Sequence, residues 1–123
     1  MGKYLHFEDL EIWKEGMKMC QEVYLLFKEC KDYGLKDQIQ RAAVSVPSNI
    51  AEGYERKSVK ETTQFLYIAK GSCGEMRTQL YLAISLAFID KKAGLELVEK
   101  SKMLSVKIYN FIQALNKNID KNG

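Results

Sequence analysis

Proline, histidine and tryptophan each occur once in this chain, and cysteine three times. Each scarcity removes a class of chemistry. A catalytic triad or a histidine-based metal site would have to use His6, which lies in a short N-terminal arm. The Glu-x-x-His pairs that build a di-metal site in a helix bundle are absent. Cys20, Cys30 and Cys73 are odd in number and share no metal-ligand spacing, so free thiols are expected, two of them on apolar faces. No run of about 18 apolar residues exists to span a membrane. The opening Met1-Gly2-Lys3-Tyr4-Leu5-His6 lacks the apolar core of a signal peptide, and His6 stands where a myristoylation site needs Ser or Thr. Glu52 and Glu55 could act as paired carboxylates, but no histidine, cysteine or glycine loop assists them. The expectation is a non-enzymatic cytoplasmic protein without cofactor, metal or membrane contact.

What is present is ordinary for a folded chain. Hydrophobic residues make up 46% and charged residues 28%, a balance that argues against disorder. With 123 residues the chain is long enough for one domain with a real core, taken as 1–123. The formal net charge is only +3, so any attraction to polyanions must come from local clustering. No strand-like alternation, repeat or low-complexity segment interrupts it.

Helical spacing runs through the chain, which predicts helices over about 9–30, 35–55, 58–89 and 91–118. In the first, Leu10, Trp13, Met17, Cys20, Tyr24 and Phe27 alternate steps of three and four, with Asp9 as the expected N-cap. Gly34 is expected to make a left-handed turn into the second. There Leu35, Ile39, Ala42, Val46, Ile50 and Gly53 form an apolar stripe, and Gln38, Arg41, Ser45, Ser48 and Glu52 a polar one. Pro47 falls inside this pattern. Its ring removes a donor and crowds the carbonyl of Ala43, at about 3 kcal/mol. Because the stripe continues in phase, a kinked helix is predicted rather than two helices, with the amide of Asn49 serving the freed backbone or the facing helix.

Ser58-Val59-Lys60-Glu61 reads as a capping box that opens the third helix. Thr62, Leu66, Ala69, Cys73, Met76, Leu80, Ala83 and Ala87 form its inner stripe. Gly71, Ser72 and Gly74 are expected to allow a neighbouring backbone to approach. If helices two and three fold back near residue 57, Arg41 lies opposite Ser72 and within reach of Glu75, partly buried. Asp90 caps the fourth helix, whose inner face is Leu97, Ser101, Leu104, Ile108, Phe111 and Leu115, with Val98, Ile112 and Ile119 beside it. Four amphipathic helices with tight turns predict an all-α, up-down-up-down antiparallel four-helix bundle. The apolar faces of helices one, three and four are wider than one seam needs, which predicts self-association.

The run Gln38-Ile39-Gln40-Arg41-Ala42-Ala43-Val44-Ser45-Val46-Pro47-Ser48-Asn49-Ile50-Ala51-Glu52-Gly53, followed by Phe65-Leu66-Tyr67-Ile68-Ala69-Lys70-Gly71-Ser72 and Glu75, resembles the four-helix family of 23S rRNA-intervening-sequence proteins. Phe7-Glu8-Asp9-Leu10 with Ile12-Trp13 matches the opening of that family, and the likeness covers roughly 7–115. Departures are local: Glu29-Cys30-Lys31 where many relatives carry a proline, and Cys73-Gly74 in place of a bulkier pair. The family's genes lie in bacterial genomes, many inside ribosomal RNA insertions, and its function is largely unassigned. Members are similar to the accessory protein of diversity-generating retroelements, a homopentameric barrel that binds nucleic acid and partners a reverse transcriptase. The resemblance therefore implies a homopentamer, with RNA or DNA and a protein such as a reverse transcriptase as partners. Five copies of +3 would carry about +15. Basic residues gather at the corner between helices two and three, at Arg56, Lys57 and Lys60, with Lys14, Lys18 and Lys70 on other polar faces. Asn49, Glu52 and Tyr54 are near enough in sequence to add hydrogen bonds or stacking. In the alternative reading the protein is a structural or protein-interaction scaffold without nucleic-acid binding. In either reading Arg41, Pro47, Asn49, Glu52, Gly53 and Glu75 make up the structural motif.

Overall fold

The computed structural model describes residues 6–122, with side chains described through residue 117; the expected position of Ile119 beside the inner face of the last helix lies outside them. A 3-10 turn over Phe7–Asp9 leads into four helices: α1 (Glu11–Leu26), α2 (Tyr33–Tyr54), α3 (Val59–Ser85) and α4 (Lys91–Asn122). Each helix packs against its two neighbours around a closed ring, α1 against α2 and α4, α3 against α2 and α4. Among the described residues there is no strand.

The inner stripes of the last three helices match their apolar spacing. Ile39, Val46 and Ile50 of α2, Leu66, Ala69, Cys73, Met76 and Leu80 of α3, and Leu97, Leu104 and Ile108 of α4 are all fully or almost fully buried, while near the end of α4 Ile112, expected beside the stripe, is buried and Phe111, expected on it, is half-buried. Burial of each large aliphatic side chain contributes roughly 1.5–3 kcal/mol.

In α1 the core face is turned from the expected one. Ile12, Gly16, Met19 and Val23 are buried, whereas Met17 and Tyr24 are exposed and Trp13 and Cys20 half-buried. Both faces are apolar, and the deciding residue is Gly16. A Cβ there would lie 3.5 Å from Val46 and 3.6 Å from Pro47, so α2 comes close along the glycine face. Trp13 instead packs edge-on against Phe7, ring centres 5.4 Å apart. The expected Asp9 cap is also corrected. Asp9 lies in the 3-10 turn, closed by the Leu10 N–H on the Phe7 carbonyl at 3.0 Å, and Leu10 precedes α1 without a side-chain cap.

Asp32, not Gly34, begins α2. Its carboxylate accepts the Leu35 N–H at 3.0 Å, which places Gly34 inside the first helical turn with no left-handed backbone. From there α2 runs without interruption through the buried Pro47. The α2–α3 contact differs from expectation in its polar partner. Arg41 points away, 79% exposed and paired with Asp37 on its own helix at 2.8 Å, while Glu75 is exposed. One turn further on, the short Ser45 meets Ser72 across the contact, oxygen to oxygen 2.8 Å. An aspartate four residues back is a nearer partner for a long guanidinium than a carboxylate on the facing helix. Asn49 donates to the Ser45 carbonyl and the Ser45 hydroxyl, each at 2.8 Å, rather than to the Ala43 carbonyl that Pro47 leaves free.

Close approach occurs at Gly53 and not at Gly71 or Gly74. A Cβ on Gly53 would sit 2.8 Å from the Phe65 Cβ and 3.1 Å from the Thr62 carbonyl, whereas nothing lies within 4 Å of one on Gly71 or Gly74. The end of α3 is the last correction. The helix stops at Ser85, and Ala87 adopts φ 60°. The Phe88 N–H reaches back to the Ala83 carbonyl at 2.9 Å and the Ala87 N–H to Ile84 at 3.0 Å, the paired closure of a Schellman turn. Ala87 is therefore an exposed capping residue and no part of the inner stripe.

Candidate nucleic-acid interface

The corner between α2 and α3 is built on the Gly53 contact. Thr62 donates its hydroxyl to the Gly53 carbonyl at 2.7 Å, which ties the last turn of α2 to the first of α3. Ser58 caps α3 as expected: it accepts the Glu61 N–H at 3.2 Å and donates its hydroxyl to the Glu61 carboxylate at 3.2 Å. The tight turn leaves Arg56, Lys57 and Lys60 exposed together.

These cations are not equivalent. Arg56 is committed twice, to the Glu52 carboxylate and to the Phe65 ring, whose centre lies 4.7 Å from the guanidinium carbon. Each contact contributes at most about 1 kcal/mol at such an exposed site. Lys57 and Lys60 make no ion pair among the described residues. Glu52, Glu55 and Glu61 make the corner formally neutral, and Lys57 and Lys60 are its cations outside an ion pair among the described residues.

The remaining sequence-predicted cations lie elsewhere. Lys14 and Lys18 are exposed one turn apart on α1, and Lys18 lines the α1–α4 groove with Glu15, Glu22 and Lys100. That side is laced by ion pairs, Lys100 to Glu22 at 3.0 Å and Lys107 to Glu15 at 2.9 Å and Glu11 at 3.1 Å. Hydrogen bonds to Glu15, then Glu11, hold the Lys107 pKa above the usual lysine value. Lys70 lines a third surface, the groove between α3 and α4, with Arg77, Lys102, Ser105, Val106 and Tyr109. Of these, sequence reasoning had singled out Lys70 alone. The seven-residue step from Lys70 to Arg77, two turns on one face, was the available signal. Lys102 donates to the Glu99 carboxylate at 3.3 Å, and that hydrogen bond, followed by the carboxylate's charge, raises the lysine's pKa. Burial raises the Cys73 thiol beneath to about 11.

Among the described residues, no group of histidine, cysteine or acidic side chains could hold a metal ion, and no helix is long and apolar enough to cross a membrane. Fold and surface together define an all-α four-helix protein whose lysines and arginines lie on several separate surfaces. The profile of the family described as 23S rRNA-intervening sequence protein matches residues 8–110, and the chain belongs to that family. Among solved structures it is similar to a protein of unknown function from the S23 ribosomal protein family of Bacteroides thetaiotaomicron. The two share 21% identity over 82% of this chain and 97% of that one, with a TM-score of 0.78. At that identity the likeness speaks to fold. No curated protein matches this chain.

Proposed function

We propose that the protein is a non-enzymatic, homo-oligomeric four-helix module that binds RNA or DNA through phosphate contacts. The observation that carries the reading is the pair Lys57 and Lys60, exposed at a tight corner without an acidic partner. Family membership supports it, and the resemblance implies a pentamer and a protein partner such as a reverse transcriptase. An up-down-up-down course is supported by contact pairs whose numbers run in opposite directions: Ser45 with Ser72 and Gly53 with Thr62, Arg77 with Ser101 and Thr63 with Asn116, Lys107 with Glu11 and Lys100 with Glu22. The missing Pro47 donor supports a bend in α2 at that point. In this arrangement the corner lies at one end, and exposed Leu25, Leu82, Leu86 and Phe88 gather towards the other. That apolar end supports self-association.

The test is a salt titration of binding to ribosomal RNA fragments and DNA, followed by fluorescence anisotropy, with light scattering on the same samples. Affinity is expected to fall steeply as salt rises. Lys57→Gln with Lys60→Gln should reduce the slope of log affinity against log salt by about 2 while leaving the fold intact. The scattering mass is expected at that of a five-chain ring. No binding at low salt, with a monomeric mass, would refute the reading and favour the scaffold alternative.

A further inference from the structure

The groove between α3 and α4 holds a combination the corner lacks. Lys70 and Arg77 sit two turns apart on α3, about 10 Å along its axis, and neither makes an ion pair among the described residues. Arg77 is steadied by α4 through a 3.4 Å hydrogen bond from Nη1 to the Ser101 hydroxyl, which itself donates to the Val98 carbonyl at 2.7 Å. Between the two cations on the same stripe lies Gly74, and nothing stands within 4 Å of where its Cβ would be. The space between them is open. Across it, α4 contributes Lys102, Ser105, Val106 and Tyr109.

Ser105 is the telling residue. It is 8% exposed and lines the groove, and its hydroxyl oxygen is enclosed beside the Cys73 thiol with no stronger partner. A buried hydroxyl without a strong partner is a cost that a better acceptor relieves. Its neighbour is the Cys73 thiol, a weak partner that burial keeps protonated. Among the described residues the one carboxylate paired with these cations is Glu99, which holds Lys102 in a pair whose side chains are 50% and 68% exposed. So exposed a pair is weakly held and gives way to a stronger anion.

We propose that this groove is a binding site for a phosphate group. Arg77 presents its planar donors to two phosphate oxygens, Lys70 and Lys102 close on the anion from either end, and Ser105 turns its hydroxyl from the Cys73 thiol to donate to an anion oxygen, a stronger acceptor. The Tyr109 ring, at the Lys70 end, flanks whatever group the phosphate carries. The cations suit a phosphate monoester, which bears close to two negative charges at neutral pH, better than a carboxylate. The same chemistry could arrive on a small phosphorylated molecule or on a polynucleotide. This site is separate from the corner and goes beyond the reading built on it.

Isothermal titration with inorganic phosphate, AMP and a single-stranded oligonucleotide with hydroxyl ends, at constant ionic strength, tests the site. The unmodified protein is expected to bind at least one of the three, and Arg77→Gln and Ser105→Ala each to weaken that binding about tenfold or more. Ser105→Ala deletes a hydroxyl with no strong partner and is expected to fold as the parent does, which circular dichroism would verify. Lys57→Gln with Lys60→Gln should leave phosphate and AMP binding unchanged. Loss confined to phosphate and AMP assigns the site to a terminal phosphomonoester; loss that extends to the oligonucleotide assigns it to the backbone phosphates. Failure of all three to bind, or binding indifferent to both groove variants, overturns the proposal. Oligonucleotide binding that responds to the corner lysines alone overturns it while leaving the corner reading in place.

Discussion

Ala87 occupies a backbone conformation that favours glycine. At φ 60° its Cβ crowds the following carbonyl oxygen, at about 1–2 kcal/mol, and the Schellman hydrogen bonds at Ala83 and Ile84 fix that geometry regardless. The side chain is exposed, so no packing is forfeited on its removal. Glycine is more flexible in the unfolded chain, which offsets part of the gain. Ala87→Gly is therefore expected to stabilise the fold by roughly 0.5–1 kcal/mol, a rise of a few degrees in Tm by calorimetry. A fall in Tm would mean that the turn does not hold this conformation in solution. The same residue shows why the sequence misleads there. Ala87 continues the apolar spacing of α3 in phase, and periodicity has no term for a backbone that has already turned.

At the scale of the helix, spacing specified α2, α3 and α4 well because each carries one dominant apolar stripe bordered by charge. It found the buried Leu10 and Phe27 at the two ends of α1 but missed the face between them, where two adjacent stripes are apolar and the one with Gly16 is set against Val46 and Pro47. Arg41 was misplaced for a related reason. The helix-to-helix spacing puts Arg41 within reach of Glu75, but Asp37, four residues back on the same helix, is the nearer partner. The Gly53 corner tests how closely α2 and α3 are set. An added methyl would have to displace the Phe65 Cβ and the Thr62 carbonyl, both rigid backbone neighbours, and the Thr62 hydroxyl bond with them. Gly53→Ala should destabilise by roughly 1–3 kcal/mol despite alanine's better helix propensity. Gly71→Ala, on an exposed stretch of α3 with open space, should stabilise by up to about 1 kcal/mol. Urea denaturation of both variants measures the contrast, and equal shifts in the same direction would remove the packing argument.

Across the whole molecule, the legible part of the candidate site was the linear one. Arg56, Lys57 and Lys60 are adjacent in sequence, whereas the α3–α4 groove exists only once Lys70 and Arg77 are set beside Lys102, Ser105 and Tyr109. The thiol beneath that groove couples the packing of these helices to pH. Cys73 is fully buried, and burial, against smaller opposing effects of the Ser105 hydroxyl, Arg77 and Lys70, raises its pKa from the usual 9.0 to about 11. Between those values the unfolded chain has lost the thiol proton while the folded chain still holds it. The unfolded state then binds fewer protons, so stability falls as pH rises through this window, by roughly 2–3 kcal/mol in all. The direction is shared by Cys20, raised by partial burial, and by Lys102 and Lys107, raised by their carboxylate partners, whose contribution is lost as pH rises above the ordinary lysine value of 10.5. Cys73→Ala isolates the buried thiol: it shrinks a core side chain and lowers stability at every pH, but should flatten the decline between pH 9 and pH 11. Urea midpoints at half-unit steps across that range, for both proteins, supply the measurement. Parallel declines would show that the alkaline loss comes from other groups.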